Sequence, residues 1–410
     1  MSDSASARPR GLLLPGKLLS LGIADPNRVW LAGEVIYREI VEGCRLDDDR
    51  WLRLPEFSRS RVFQELQARY LIPHELNGVW LRPRIIRPFT ACYRWTKQML
   101  KDAALHVIEM NLFLQDHPDN QGRWMALDCH IYNVAFWHSQ PRYIDVGSFT
   151  DQWNRAGWGI ETIMKFINSH SVMSSLGITA IKVGSGLEEA RDFMSRHEVH
   201  EDQGEWDSYG RDDDLINSKP VDAEQELILG WARHLKPHSI CDVGCNSGTF
   251  SRLFAREGIS VVALDSAAGP LTRNYLAARR LNLPISCVNI RVPEVLREVE
   301  RPEWSSFQCE VCFLSSVVHH LARANMSWEQ QADLWSLLGS RHLWAEWIDR
   351  ADSCLQAWLG ERSASCPSPL PSWYRRDLWM KSIMDKGWWL DQEILNPRSK
   401  TRSWCHFRRD

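Results

Sequence analysis

The sequence predicts an α/β protein in which a doubly wound, mostly parallel sheet follows a smaller α+β region. Three observations carry that expectation. From Val221 onward, short apolar runs alternate with helical stretches, the pattern of parallel strands joined by crossover helices. The run Ile240 to Val243 leads into a turn bounded by glycines, Gly244-Cys-Asn-Ser-Gly248, and then into a helix. Before Gly184 the chain offers instead a few strand-like runs and one long helical stripe.

In chain order, Arg28 to Ile40 reads as two short strands about Gly33, and a helix follows around Arg61 to Tyr70. Lys97 to Gln115 carries Met99, Leu100, Ala103, Ala104, Val107, Ile108, Leu112 and Phe113 at helical spacing, a stripe suited to packing on a sheet. Gly184 to Asp214 is charged, turn-rich and weakly periodic. Beyond it the expected elements are a helix over Ala223–His234, the strand Ile240–Val243, a helix over Thr249–Glu257, a strand Ser260–Leu264 and a helix Leu271–Arg280. Strands Ile285–Asn289 and Glu310–Leu314 come next, then a helix Trp328–Leu338 and a strand His342–Ile348. Two final strands, Trp388–Leu395 and Thr401–Phe407, flank Asn396-Pro397. The 410 residues therefore divide into an extended or disordered 1–25, an α+β domain 26–183, a linker 184–220 and an α/β domain 221–410.

Composition narrows the function classes. A net charge of -3 gives no electrostatic case for a general nucleic-acid binder. The 11 cysteines are odd in number and several lie in apolar runs, as reduced thiols of a cytoplasmic protein would. Cys309-Glu-Val-Cys312 lacks a second pair and falls in an expected strand, so two buried thiols are expected there and no metal site. The apolar stretch in Gly11-Leu-Leu-Leu-Pro is too short for a signal core, and no run approaches the roughly 18 apolar residues of a membrane span. Most of the 21 tryptophans, among them Trp335, Trp344, Trp347 and Trp358, are expected in cores or interfaces.

The glycine turn carries the chemistry. Gly244 and Gly248 let the backbone bend sharply and approach a ligand, and Asp242 and Asp265 each close a strand at the crevice where open α/β sheets bind ligands. An acid roughly 20 positions beyond a glycine turn also occurs in dinucleotide-binding folds, so that spacing does not decide. The pattern itself is not G-x-G-x-x-G, and Asp242, two residues before the first glycine, would repel a pyrophosphate. A zwitterionic amino-acid tail would be accepted, its ammonium pairing with a carboxylate and its carboxylate lying near backbone N–H groups.

This segment resembles motif I of the class I S-adenosylmethionine-dependent methyltransferases. The resemblance implies a Rossmann-like methyltransferase domain with S-adenosyl-L-methionine held by Asp242, Gly244, Asn246, Gly248 and Asp265, the last on the ribose. It places Asn289 near the adenine and Ser315 and Ser316 where methyl group and acceptor meet, and it makes the final two strands an antiparallel edge hairpin. His319 and His320 then become candidate catalytic bases, since an imidazole can take an acceptor proton near neutral pH. The alternative is that they hydrogen-bond locally and shape the pocket. No Asn-Pro-Pro-aromatic run follows the fourth strand, which argues against the N-methylases bearing that signature.

From about Arg28 the chain resembles a bacterial family that joins a kinase-like region to a class I methyltransferase and includes host-specific nodulation proteins. The matching stretches begin at Tyr93, Leu127, Tyr143, Glu205, Val318 and Ala345. The resemblance implies that Asp128 and Asn133 correspond to a kinase catalytic loop and Asp145-Val-Gly147 to its metal-binding segment, with Asp128 as base and Asn133 and Asp145 holding magnesium. No glycine-rich nucleotide loop or strand lysine accompanies them, and Ala126-Leu127 replaces the usual His-Arg, so a degenerate scaffold is favoured over active phosphotransfer. Trp206 and Tyr209 would close over the cofactor. The implied substrate is a small molecule or a carrier-borne group. Rival readings are an atypical phosphotransferase with a regulatory second domain and a non-catalytic cofactor-sensing scaffold.

Overall fold

Arg28–Ala32 and Val35–Glu39 pair antiparallel, as the two runs about Gly33 predict. They belong to a five-stranded antiparallel sheet ordered Lys17–Leu21, Arg28–Ala32, Val35–Glu39, Trp80–Pro83, His74–Asn77. The computed structural model describes residues 56–77, 80–84, 86–88, 90, 92–126, 129, 131–151, 176, 186–202, 204, 221–292, 294, 307–361 and 370–410, with the strands at 17–21, 28–32 and 35–39.

The chain forms two compact units. The first comprises Met1–Ile86, Ala103–Val134 and Arg142–His197, the second Arg87–Asp102, Ala135–Pro141 and Glu198–Asp410. In the first, Ser60 caps the helix Arg61–Arg69 by accepting from the Phe63 N–H at 3.2 Å, and Val62, Phe63 and Leu66 turn inward. The part of the helix Lys97–Asp116 that lies in this unit, from Ala103 onward, buries Ala103, Ala104, Val107 and Ile108 completely, the stripe predicted from spacing. Gly184 to Asp214 is not turn-rich throughout, because Leu187–Arg196 is helical. Its buried Leu187, Ala190 and Met194 form a narrow apolar stripe that the surrounding charges obscure in the sequence.

The second unit is built on a seven-stranded sheet. Its strands are β1 (Ser239–Val243), β2 (Ser260–Asp265), β3 (Ile285–Asn289), β4 (Cys309–Leu314), β5 (Gly339–Ile348), β6 (Trp389–Leu395) and β7 (Arg402–Arg408). The spatial order is β3-β2-β1-β4-β5-β7-β6. The first five strands are parallel, and β7 runs antiparallel to both β5 and β6. The described helices of this sheet are α1 (Ala223–Leu235), α2 (Thr249–Arg256), α3 (Ala268–Arg280), α4 (Val318–Arg323), α5 (Trp328–Leu338), α6 (Ser353–Glu361) and α7 (Arg376–Met384).

Alternate residues of each strand serve opposite faces. Cys312 and Leu314 join a core with Cys241, Val243, Trp335 and Trp347, whereas Phe313 stacks on Trp404 at 5.3 Å and meets Phe254 edge-on at 5.1 Å. Burial pushes the Cys241 and Cys312 thiols well above their ordinary range, as expected for inert core thiols. Helix α3 starts at Ala268, three residues before the expected Leu271, because Pro270 lies in the first turn where no N–H has an intrahelical acceptor. Two earlier segments are anchored within this unit: Asp102 accepts from the Tyr275 hydroxyl at 2.6 Å and from Arg279, and the Ser139 hydroxyl donates to the Ile285 carbonyl at 2.7 Å. No helix among the described residues is long and apolar enough to cross a membrane. Among the same residues no three His, Cys, Asp or Glu side chains are grouped to hold a metal ion.

Candidate functional site at the strand-order reversal

The chain leaves β1 toward β2 and β3 on one side and returns to β4 on the other, so the crevice beyond the carboxyl ends of β1 and β4 is the switch point where such sheets bind ligands. The glycine bend lies there. The N–H groups of Gly244 and Cys245 both donate to the Leu264 carbonyl, at 2.8 and 3.1 Å, docking the bend on the end of β2. Gly244 and Gly248 have φ of +69° and +83°, the left-handed region that glycine enters without penalty.

The structure adds a reason for each glycine that the sequence does not show. A β-carbon on Gly244 would come within 2.7 Å of Val317 Cγ2, and one on Gly248 within 2.0 Å of the Asn274 side chain. Both spaces are taken by the protein itself. Asn246, between them, is also left-handed, with φ +49°. Its Oδ1 accepts from the Ser247 N–H at 2.7 Å, and its own N–H donates to Asp265 Oδ2 at 2.7 Å.

The two acids occupy different settings. Asp242 is only 3 % exposed and accepts from the Ser251 hydroxyl of α2 at 2.5 Å. Burial raises its pKa to about 7, against the Ser251 hydrogen bond and reinforced by the charge of Asp265. Asp265 is half-buried at the rim, opposite Asn289 in the β2–β3 register. Its Oδ1 accepts from the Ala267 N–H at 2.8 Å, and desolvation holds its pKa above the usual range despite these backbone donors. The Ser266 N–H also donates to this carboxylate, and since a carboxylate offers about four lone-pair sites, three backbone donors leave room for one ligand hydroxyl. Asn289 is half-buried beside it, and the N–H of Ile290 donates to the Asp265 carbonyl at 2.8 Å.

Across the crevice, Ser315 is half-buried directly after β4. Ser316 is left-handed, with φ +56°. Helix α4 then presents His319, 7 % exposed, and His320, half-buried, with ring centroids 4.1 Å apart. Trp358 of α6 meets them edge-on at 5.7 and 4.8 Å, and the Arg323 guanidinium lies over its ring at 4.5 Å. Of the four tryptophans expected in cores, Trp335, Trp344 and Trp347 are buried, while Trp358 is half-exposed in this wall. Burial, aided by the neighbouring His320, holds the His319 pKa well below its ordinary value. The ring is therefore neutral at pH 7, and its buried Nδ1 has no hydrogen-bond partner among the described residues. A neutral imidazole can accept a hydrogen bond or a proton through whichever ring nitrogen lacks one.

Sequence reasoning missed the polar cluster behind Ser316. Glu346 and Glu224, both buried, are bridged by the amide of Asn396 at 2.8 and 2.6 Å. Arg402 lies 3.7 Å from Glu346 and forks onto Asp352 through two 2.9 Å hydrogen bonds. The available signal was a lone acid in the otherwise apolar run Leu343-Trp-Ala-Glu-Trp-Ile348. In the first unit, Asn133 Nδ2 lies 3.5 Å from Asp145 Oδ2, and Asp145 also caps the turn at Gly147. Asp128, Trp206 and Tyr209 lie outside the described residues.

No protein-family model and no curated protein sequence matches the chain. Among solved structures it is similar to the magnesium protoporphyrin IX methyltransferase of Synechocystis PCC 6803 with bound S-adenosylhomocysteine, at 13 % identity over 50 % of this chain and 96 % of that one, TM-score 0.36. It is similar to the bifunctional kinase-methyltransferase WbdD at 16 % identity over 49 % of this chain and 42 % of that one, TM-score 0.33. TehB from Haemophilus influenzae matches at 12 % identity over 47 % of this chain and 64 % of that one, TM-score 0.35.

Proposed function

We propose that the second unit is a methyltransferase that binds S-adenosyl-L-methionine at the glycine bend and acts on a small-molecule or carrier-borne acceptor. The observation that carries this reading is Asp265, a half-buried carboxylate at the end of β2 with acceptor capacity left for a ligand hydroxyl, adjoining a bend it holds through the Asn246 N–H. When bound, the cofactor would supply an electrophilic methyl group. Asp265 would grip a ribose hydroxyl and Asn289 would face its base. Gly244, Asn246 and Gly248 would shape the floor. Asp242, turned under the bend onto Ser251, would favour a nearby ammonium when ionised. Ser315 would line the acceptor side, and His319 and His320 would receive the acceptor's hydrogen bond or proton.

Calorimetry with S-adenosylhomocysteine tests the reading: binding by the intact chain is expected, with loss on Asp265→Ala, and no binding by the intact chain would refute it. The resemblance to a family joining kinase-like and methyltransferase regions, nodulation proteins included, would extend the reading to a biosynthetic enzyme, and the scattered cysteines favour the cytoplasm. A second reading, phosphotransfer by the first unit, is favoured by the 3.5 Å approach of Asn133 to Asp145, the pair the kinase resemblance assigns to magnesium. Magnesium-dependent ATP binding that disappears in Asp145→Ala would support it.

A further inference from the structure

Glu346 has no part in the chemistry above, yet it sits at the carboxyl end of β5, bordering the same crevice. Replacing a whole buried ionic cluster by apolar residues is often neutral or stabilising, so a buried carboxylate kept together with its partners points to a positional role. Glu346 is 1 % exposed. Its Oε2 accepts from both the N–H and the hydroxyl of Ser316, at 3.0 and 2.8 Å. Its Oε1 accepts from Asn396, which in turn is held by Glu224.

Ser316 needs that grip because its φ of +56° is one that residues with a β-carbon seldom adopt. The next residue, Val317, is the one seated in the space above Gly244. Its carbonyl accepts from the His320 N–H at 3.0 Å, opening the helix that carries both histidines. Ser316 is thus the hinge between the bend and the histidine wall.

We infer that Glu346 is a positioning residue: by clamping Ser316 in its left-handed conformation it fixes Val317 against the glycine bend and sets the orientation of His319. The inference rests on reading this crevice as the methyl-transfer site. Glutamine at 346 can still accept from Ser316 but turns a donor toward Asn396 and Arg402, so the clamp loosens. Glycine at 316 adopts the same φ unaided.

The test uses the full chain with 13C-labelled histidine and calorimetry with S-adenosylhomocysteine. Glu346→Gln should displace or broaden the His319 resonance and weaken binding about tenfold, the scale of one charged hydrogen bond. In a Ser316→Gly background the same substitution should have a clearly smaller effect. An unchanged His319 resonance in Glu346→Gln, or an equal effect in the Ser316→Gly background, would overturn the inference. If Glu346→Gln does not fold, Ser316→Val, whose branched β-carbon resists the left-handed region, must displace the resonance, and an unaltered spectrum overturns the inference equally. A wild-type chain that binds no S-adenosylhomocysteine would defeat the reading of the site alone, because the His319 resonance still decides the role of Glu346.

Discussion

Val317 Cγ2 lies 2.7 Å from the point where a β-carbon on Gly244 would stand, so the cofactor bend and the chain following β4 are fitted to each other through a missing methyl group. Gly244→Ala should therefore suffer twice, from the contact and from a φ of +69°. The backbone part alone costs about 1–2 kcal/mol. Adding Val317→Ala should recover the contact part and leave the backbone part, which urea denaturation of the two single variants and the double variant would resolve.

Asp265 should dominate ligand affinity. Hydrogen bonds to a charged group contribute about 1.5–3 kcal/mol each, so Asp265→Ala should weaken S-adenosylhomocysteine binding by at least about tenfold. Asp265→Asn, which keeps an acceptor for one of the Asn246 and Ala267 N–H groups, should fall between it and the wild type in calorimetric titrations. Equal affinities for all three proteins would remove Asp265 from the site.

Asp242 should make stability depend on pH in the direction opposite to an ordinary paired carboxylate. Its folded pKa of about 7 exceeds the unfolded value, so the folded state binds the extra proton and stability falls as pH rises from about 4 to 7. At about 1.4 kcal/mol per pH unit the loss amounts to about 4 kcal/mol at most. Asp242→Asn keeps the shape and an acceptor for Ser251 without the titration. Unfolding free energies measured across that window should show a shallower decline in this variant, and parallel curves would contradict the assignment.

His319 should remain neutral through mildly acidic solution. Because its folded pKa is depressed, its charging opposes folding only as pH drops below the ordinary histidine value, and stability from this source is complete above it. Its 13C resonance should show no titration between pH 6 and 8. If it acts as a base, His319→Asn should lower methyl transfer from labelled cofactor by about 10²-fold or more while leaving S-adenosylhomocysteine affinity within a factor of a few. A variant with full transfer activity would reduce the residue to a wall of the pocket.

The strands of the large sheet were legible because buried parallel strands are short, nearly unbroken apolar runs, and Ile240 to Val243, Ser260 to Leu264 and Ile285 to Asn289 are of that kind. The closing antiparallel pair was visible through Asn396-Pro397. Helix α4 was not, since the six residues Val318 to Arg323 span too few turns to show a period. Nor was the tie between Glu346, Asn396 and Glu224, whose members stand 50 and 172 residues from one another along the chain. Local pattern reports burial, whereas a polar cluster assembled by tertiary folding leaves only isolated acids in apolar surroundings. The positions of Asp242 and Asp265 at strand ends followed from their place after apolar runs, but the turning of Asp242 onto Ser251 required the docked α2.

The insertion of β7 between β5 and β6 has a consequence for biogenesis. Synthesis proceeds from the N-terminus, so β5 exposes a bare hydrogen-bonding edge until residues 402–408 have left the ribosome tunnel. Until then the nascent sheet is open to wrong partners along that edge. Premature termination upstream of Arg402 would therefore yield an aggregating fragment, even though every residue of the glycine bend had already been translated.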